Sequence, residues 1–174
     1  MILNPYTMLK KGCIIQGSEE CLAQNGYDLR IETICEVTTD LDSILAINDK
    51  GLKNNAYVIV KPNYNSKDKN LYYFLKRNTP YVVKTIESVY IPKNVVGIIF
   101  SRSTFNRNGI IVRATLFDSG FRGTPSLTVY PFQNIRIAKG CRIAQIIFMT
   151  ATPYKLYKGK YNEKIWFYNE EIVN

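Results

Sequence analysis

Apolar residues along this chain fall in short runs, not in helical stripes. Tyr27 to Val37, Ala56 to Lys61, Leu71 to Leu75, Tyr81 to Tyr90, Val95 to Phe100, Ile110 to Thr115, Leu127 to Phe132 and Arg142 to Thr150 are rich in Ile, Val, Tyr and Phe. Such residues fit a pleated, half-buried surface, so each run predicts a strand. Turn material separates them, for instance Ile91-Pro92-Lys93-Asn94 and Ala138-Lys139-Gly140. One segment reads differently: Asn4 suits an N-cap, Pro5 the first helical position and Gly12 a stop, which predicts a short N-terminal helix. Leu41 to Ile47 fits either a short helix or an irregular excursion. Many short strands without alternating helices predict an all-β sandwich or barrel. No repeat, linker or low-complexity tract divides the 174 residues, so one domain over 1–174 is expected, with a single core.

Composition narrows the chemistry. The apolar fraction of 46% and charged fraction of 21% are ordinary for a globular protein. There is no histidine, and Cys13, Cys21, Cys35 and Cys141 lack any CxxC spacing. A Cys/His zinc site, a catalytic triad and a histidine base are therefore disfavoured. No run approaches a membrane-spanning length, and Met1-Ile2-Leu3-Asn4-Pro5 does not open like a signal peptide, so a cytoplasmic protein with reduced thiols is expected, and no membrane partner.

The net charge of +9 suits a polyanionic partner. The basic residues are scattered, with no finger spacing, ribonucleoprotein motif or basic helix, so a nucleic-acid partner is not expected. Between Glu87 and Glu163 the sole acidic residue is Asp118, against eleven lysines and arginines. One carboxylate among Arg102, Arg107, Arg113, Arg122 and Arg142 suits a ligand with several negative charges and a water that needs a base, as in a nucleoside triphosphate. A lone Asp in Phe117-Asp118-Ser119-Gly120 is also what caps a turn with its own side chain.

Four segments carry a more specific signal: Asn25-Gly26-Tyr27-Asp28-Leu29-Arg30, Ser101-Arg102-Ser103-Thr104-Phe105-Asn106-Arg107-Asn108-Gly109, Phe117-Asp118-Ser119-Gly120-Phe121-Arg122-Gly123, and Gly140-Cys141-Arg142-Ile143-Ala144-Gln145-Ile146-Ile147-Phe148. In this order they resemble the motifs of the dUTPase and dCTP deaminase superfamily. The resemblance implies a distorted β jelly roll, the β-clip barrel of dUTPases, assembled as a homotrimer with active sites shared between subunits. It implies phosphate binding by Arg102, Ser103, Thr104, Arg107 and Gln145, with Arg102 alternatively a subunit-interface ion pair. Base and sugar would meet Ile111, Arg113, Thr115 and Phe121, the last stacking on the sugar or simply filling the core. Asp118 would hold the 3′-hydroxyl and activate the attacking water. Mg2+ would ride on the substrate phosphates with no direct protein ligand, and Asp28 would order its water shell or else serve as a strand-edge carboxylate.

Two features bear on which member of the superfamily this chain resembles. Deaminases of the family place a glutamate where this chain has Thr128, and no glutamate lies anywhere between Glu87 and Glu163. That favours hydrolysis of dUTP to dUMP and pyrophosphate over deamination of dCTP or a bifunctional enzyme. The C-terminal tail, about 153–174, points the other way. It lacks the glycine-rich arm of dUTPases, and Tyr157-Lys158-Gly159-Lys160-Tyr161-Asn162 resembles the closing segment of deaminases, with Lys160 and Tyr161 placed to close over the phosphates. A non-catalytic nucleotide-binding or regulatory homologue is the remaining alternative.

Overall fold

The computed structural model describes residues 1–38, 56–159 and 162. The expected N-terminal helix, α1 (Pro5–Lys10), is capped by Asn4, whose side-chain oxygen accepts the Thr7 amide at 3.1 Å. A two-residue strand β1 (Ile14–Ile15) and a 3-10 turn (Glu19–Cys21) lead to the longest strand, β2 (Tyr27–Thr38). The remaining strands are β3 (Ala56–Ile59), β4 (Asn63–Asn65), β5 (Asn70–Leu75), β6 (Tyr81–Thr85), β7 (Ser88–Tyr90), β8 (Val95–Ser101), β9 (Ile110–Arg113), β10 (Leu116–Phe117), β11 (Arg122–Gly123), β12 (Ser126–Pro131), β13 (Ile135–Ala138) and β14 (Arg142–Thr150). A five-residue helix, α2 (Ser103–Arg107), follows β8. The all-β expectation and the jelly-roll fold class hold.

One eight-stranded sheet runs β10-β8-β14-β2-β6-β12-β9, with β3 also on β2. Two three-stranded sheets, β1-β7-β11 and β13-β5-β4, flank it. The long strand β2 makes the corner. Its first residues pair with β14, its later residues with β6 and β3, and its register shifts between Ile31 and Thr33. Such an irregularity bends a strand and increases its twist, which curls the sheet around the core. Tyr27, Leu29, Ile31, Ile34, Val83 and Leu127 are each fully buried there.

Three expectations change. The run Tyr81 to Tyr90 is two strands, because the chain turns at Ile86 and Glu87 to leave β2 and join the small β1-β7-β11 sheet. The run Ile110 to Thr115 ends at Arg113, and Leu116 and Phe117 cross to pair with β8. Helix α2 and strand β13 had no signal in the apolar pattern. Leu41 to Ile47 lies outside the described residues.

The corner is pinned by charge. Glu87 is fully buried; Oε1 accepts from Arg30 Nε at 2.6 Å and Oε2 from the Arg30 amide at 2.8 Å. The Arg30 guanidinium also reaches the Gln16 carbonyl at 3.1 Å. Tyr27 OH, which accepts the Ser18 amide at 2.7 Å, lies 3.5 Å from the same carboxylate. A buried carboxylate needs every such partner to offset its lost hydration.

Glu87→Ala should therefore cost about 3 kcal/mol or more in denaturant unfolding, since it strands Arg30 and loosens both sheets. Lys10→Ala, which removes the exposed pair with Glu19 and an exposed cation–π contact with the Tyr6 ring, should cost less than about 1 kcal/mol. Burial also pushes up the Cys13 and Cys35 thiols and the Tyr27, Tyr73 and Tyr81 phenols. The unfolded chain releases these protons first, from about pH 8.5 for thiols and about 10 for phenols. Thermal melts should thus show full stability below that range and a falling Tm as pH rises through it.

Candidate active site

The polar residues singled out by the sequence separate into two groups at opposite ends of β8. At its C-terminal end Arg102 precedes α2, with Ser103, Thr104 and Arg107 exposed on that helix. Gln145 on β14 sits opposite Asp28 on β2 and donates from Nε2 to Asp28 Oδ1 at 3.1 Å. Asp28 is buried, and its other oxygen lies 3.3 Å from Arg102 Nε and 4.0 Å from Arg142 Nη1. Arg102 also donates to the Arg142 carbonyl at 3.3 Å. Asp28 thus holds two guanidinium groups and the Gln145 amide in one place, which the sequence reading did not assign to it. Both its oxygens are engaged within the chain, so ordering a metal's water shell is not the role this geometry gives it. Gly26 makes the arrangement sterically feasible: a Cβ there would fall 2.7 Å from both Gln145 Cγ and the Ile146 carbonyl. Beside this group burial raises the Cys141 thiol, although the Arg102 and Arg142 charges pull it down.

At the other end, Phe117 pairs with Gly97 and the chain turns through Asp118. The turn is tied down by Phe121 N to Asp118 O at 3.0 Å, Gly120 N to Ile91 O at 2.8 Å, and the Ser119 hydroxyl to the Val95 carbonyl. Gly120 has φ +88°, a conformation that favours glycine. The Asp118 side chain is exposed, and no described residue forms an ion pair or side-chain hydrogen bond with it. It therefore does not cap its own turn. Asp118 faces a cleft of about 960 Å³ lined by Val96, Pro153, Tyr154, Lys155, Leu156, Tyr157 and Lys158, among others. Phe121 is buried, with its ring centroid 5.0 Å from Phe117 and 5.6 Å from Tyr157. Both neighbours cover it, so it packs behind Asp118 and presents no open face to a sugar.

A third set lies on β9. Ile111, Arg113 and, just beyond, Thr115 are exposed, whereas Ile110 and Val112 face the core. Arg113 is opposite Thr128, and Ile111 opposite Tyr130. Lys160 and Tyr161 lie outside the described residues. Val96, beside Asp118, and Arg102 are six residues apart on an extended strand, roughly 20 Å. A single chain does not bring the carboxylate to Arg102 and Arg107.

A family model described as dCTP deaminase-like matches residues 6–151. The chain belongs to the dCTP deaminase-like family. Within it, the chain is 31% identical over 144 residues to a deoxyuridine 5′-triphosphate nucleotidohydrolase of Methanocaldococcus jannaschii, covering 82% of this chain and 88% of that protein. It is 32% identical over 146 residues to a dCTP deaminase of Nitrosomonas eutropha, covering 78% and 71%. Among solved structures, the 2′-deoxycytidine 5′-triphosphate deaminase of Agrobacterium tumefaciens superposes with a TM-score of 0.64 at 16% identity, over 86% of this chain and 48% of that one. The chain thus spans about half the length of that structure, a likeness of fold. In this dCTP deaminase-like chain the described tail, 151–159, lies against the Asp118 turn, and Pro153 through Lys158 form one wall of the cleft. The sequence reading took Tyr157 and Lys158 only as parts of a closing segment and passed over Lys155; nothing in their spacing shows where the chain turns back.

Gly26→Ala should cost about 1 to 3 kcal/mol, because the methyl group meets backbone as well as Gln145. The check is equilibrium unfolding beside Gly140→Ala, where a Cβ meets nothing within 4 Å and only the positive φ of +75° resists it.

Proposed function

We propose that this protein is a dUTP diphosphatase, releasing dUMP and pyrophosphate, that works as a homotrimer with sites built between subunits. The observation that carries the hydrolytic reading is Asp118: an exposed carboxylate, unpaired among the described residues, facing a cleft in a region otherwise basic. A base so placed takes a proton from the water that attacks the α-phosphorus, an effect of about 10² to 10⁴ in rate. Arg102, Arg107, Ser103, Thr104 and Gln145 bind the phosphates and offset charge that builds up on the leaving pyrophosphate. Asp28 positions two of them, Arg102 and Gln145. Ile111, Arg113 and Thr115 line the approach of the base.

Among the described residues no three acidic or cysteine side chains cluster to hold a metal. A magnesium ion brought in on the phosphate oxygens of the substrate would supply charge neutralisation. The separation of Asp118 from the arginine group supports a site completed by a neighbouring copy. So does the outer face of β8, β10 and β14. In its register Val96 lies beside Met149 and Ile98 lies between Ile147 and Leu116, with Leu116 53% exposed; Phe100, 55% exposed, ends the row beside Gln145. A contiguous apolar patch of this kind marks an interaction surface.

Deamination of dCTP is the second reading, favoured by the likeness to the named dCTP deaminase. Thr128 stands against it: its cross-strand neighbours are Arg113 and Val82, and no carboxylate lies opposite it to move protons at a cytosine ring.

Product analysis with magnesium and either dUTP or dCTP tests the choice. Expected is dUMP and pyrophosphate from dUTP alone, with Asp118→Asn lowering kcat about 10²-fold or more while leaving Tm unchanged. A uracil nucleotide formed from dCTP would instead establish the deaminase reading.

A further inference from the structure

The segment Ala151 to Gly159 is held against the turn that carries Asp118 in its own chain. Tyr157 N donates to the Ser119 carbonyl at 2.8 Å, and its ring meets Phe121 edge-on at 5.6 Å. Leu156 and Tyr157 lie so close over Gly120 that a Cβ there would be 3.2 Å from Leu156 Cβ and 3.4 Å from Tyr157 N. Farther on, the Asn162 side chain accepts the Arg122 amide at 2.7 Å. At the start of this strap, the Ala151 amide donates to the Asn94 carbonyl at 2.9 Å, so pinned residues lie on both sides of Lys155 and of Lys158.

Both lysines line the cleft that Asp118 faces, and both are exposed. Among the described residues neither forms an ion pair. Among the described residues no acidic side chain other than Asp118 lines the cleft. Arg102 and Arg142, in contrast, are engaged by Asp28 at the far end of β8. Among the described residues that line the cleft, the positive charge is thus that of the strap.

We propose that Lys155 and Lys158 form a polyphosphate-binding site on the strap, delivering cations to the same cleft as Asp118 in cis, with the Tyr157–Phe121 contact as the latch that positions them. This deepens the triphosphate reading given above and rests on it. Two cations on one wall attract a multiply charged anion, and the carboxylate remains free for a water. Tyr157 and Phe121 are positioning residues, because they act only by fixing where the lysines stand.

The test is calorimetric titration of inorganic pyrophosphate and of a nonhydrolysable deoxyuridine triphosphate analogue into the full chain at about 0.1 M salt, so that screening is constant. The double variant Lys155→Ala/Lys158→Ala should bind both at least about tenfold more weakly, and Lys155→Arg/Lys158→Arg should restore binding. Tyr157→Leu, which keeps both lysines but releases the latch, should weaken binding in the same direction. Lys61→Ala/Lys67→Ala removes equal charge from exposed sites elsewhere and should bind like wild type. Equal affinity in wild type and the strap double variant, equal loss in the control pair, or no pyrophosphate binding by wild type would each overturn the proposal. Turnover of dUTP is read separately: its absence would remove the diphosphatase reading, while the pyrophosphate titration still decides the lysines.

Discussion

The grip of Arg30 on the buried Glu87 carboxylate fixes the corner on which the rest of the molecule depends. Arg30 stands where β2 stops pairing with β14 and starts pairing with β6, and Glu87 stands where the chain leaves β6 for β7. One ion pair, with both carboxylate oxygens engaged, therefore joins the two halves of the curled sheet to the small sheet beside it. Two residues earlier on the same strand, Asp28 gathers Arg102, Arg142 and Gln145. The strand that bends the sheet also organises the cationic end of the candidate site.

That geometry distributes the chemistry. The anion-binding candidates gather at the end of β8 that meets α2, whereas Asp118 lies where β8 begins, against the C-terminal strap. A packed β core does not flex by the length of a strand, so these groups cooperate only if a second copy supplies what the first lacks. The apolar outer face of β8 and β14 is the kind of surface such an assembly covers. The strap adds to the Asp118 end cations that do not depend on the neighbour.

Much of this was legible in the chain because it is written in local chemistry. Asn4, Pro5 and Gly12 marked the helix, and runs rich in Ile, Val, Tyr and Phe marked the long strands. Asp118 stood out as the sole carboxylate in a basic stretch, and it does lie in a cleft without an ion-pair partner among the described residues. What escaped depended on long-range pairing. Glu87 reads as a polar residue within a strand until Arg30, 57 positions earlier in sequence, is seen beside it. Asp28 looks like a strand-edge acid, yet its partners come from β8 and β14. Phe121 sits at a position that suggested stacking on a sugar, but Phe117 and Tyr157 enclose it, and Tyr157 reaches it only because the tail doubles back.

The central claim, that each site takes Asp118 from one chain and the exposed residues of α2 from another, is tested most directly by mixing two dead variants. Asp118→Asn and Ser103→Ala/Arg107→Ala should each be nearly inactive alone on dUTP. Co-expressed as mixed trimers they should recover up to roughly a quarter of wild-type activity, since only sites pairing an intact Asp118 with an intact α2 work. No recovery, with mixed trimers shown to form, would mean that both halves act within one chain and would contradict the account.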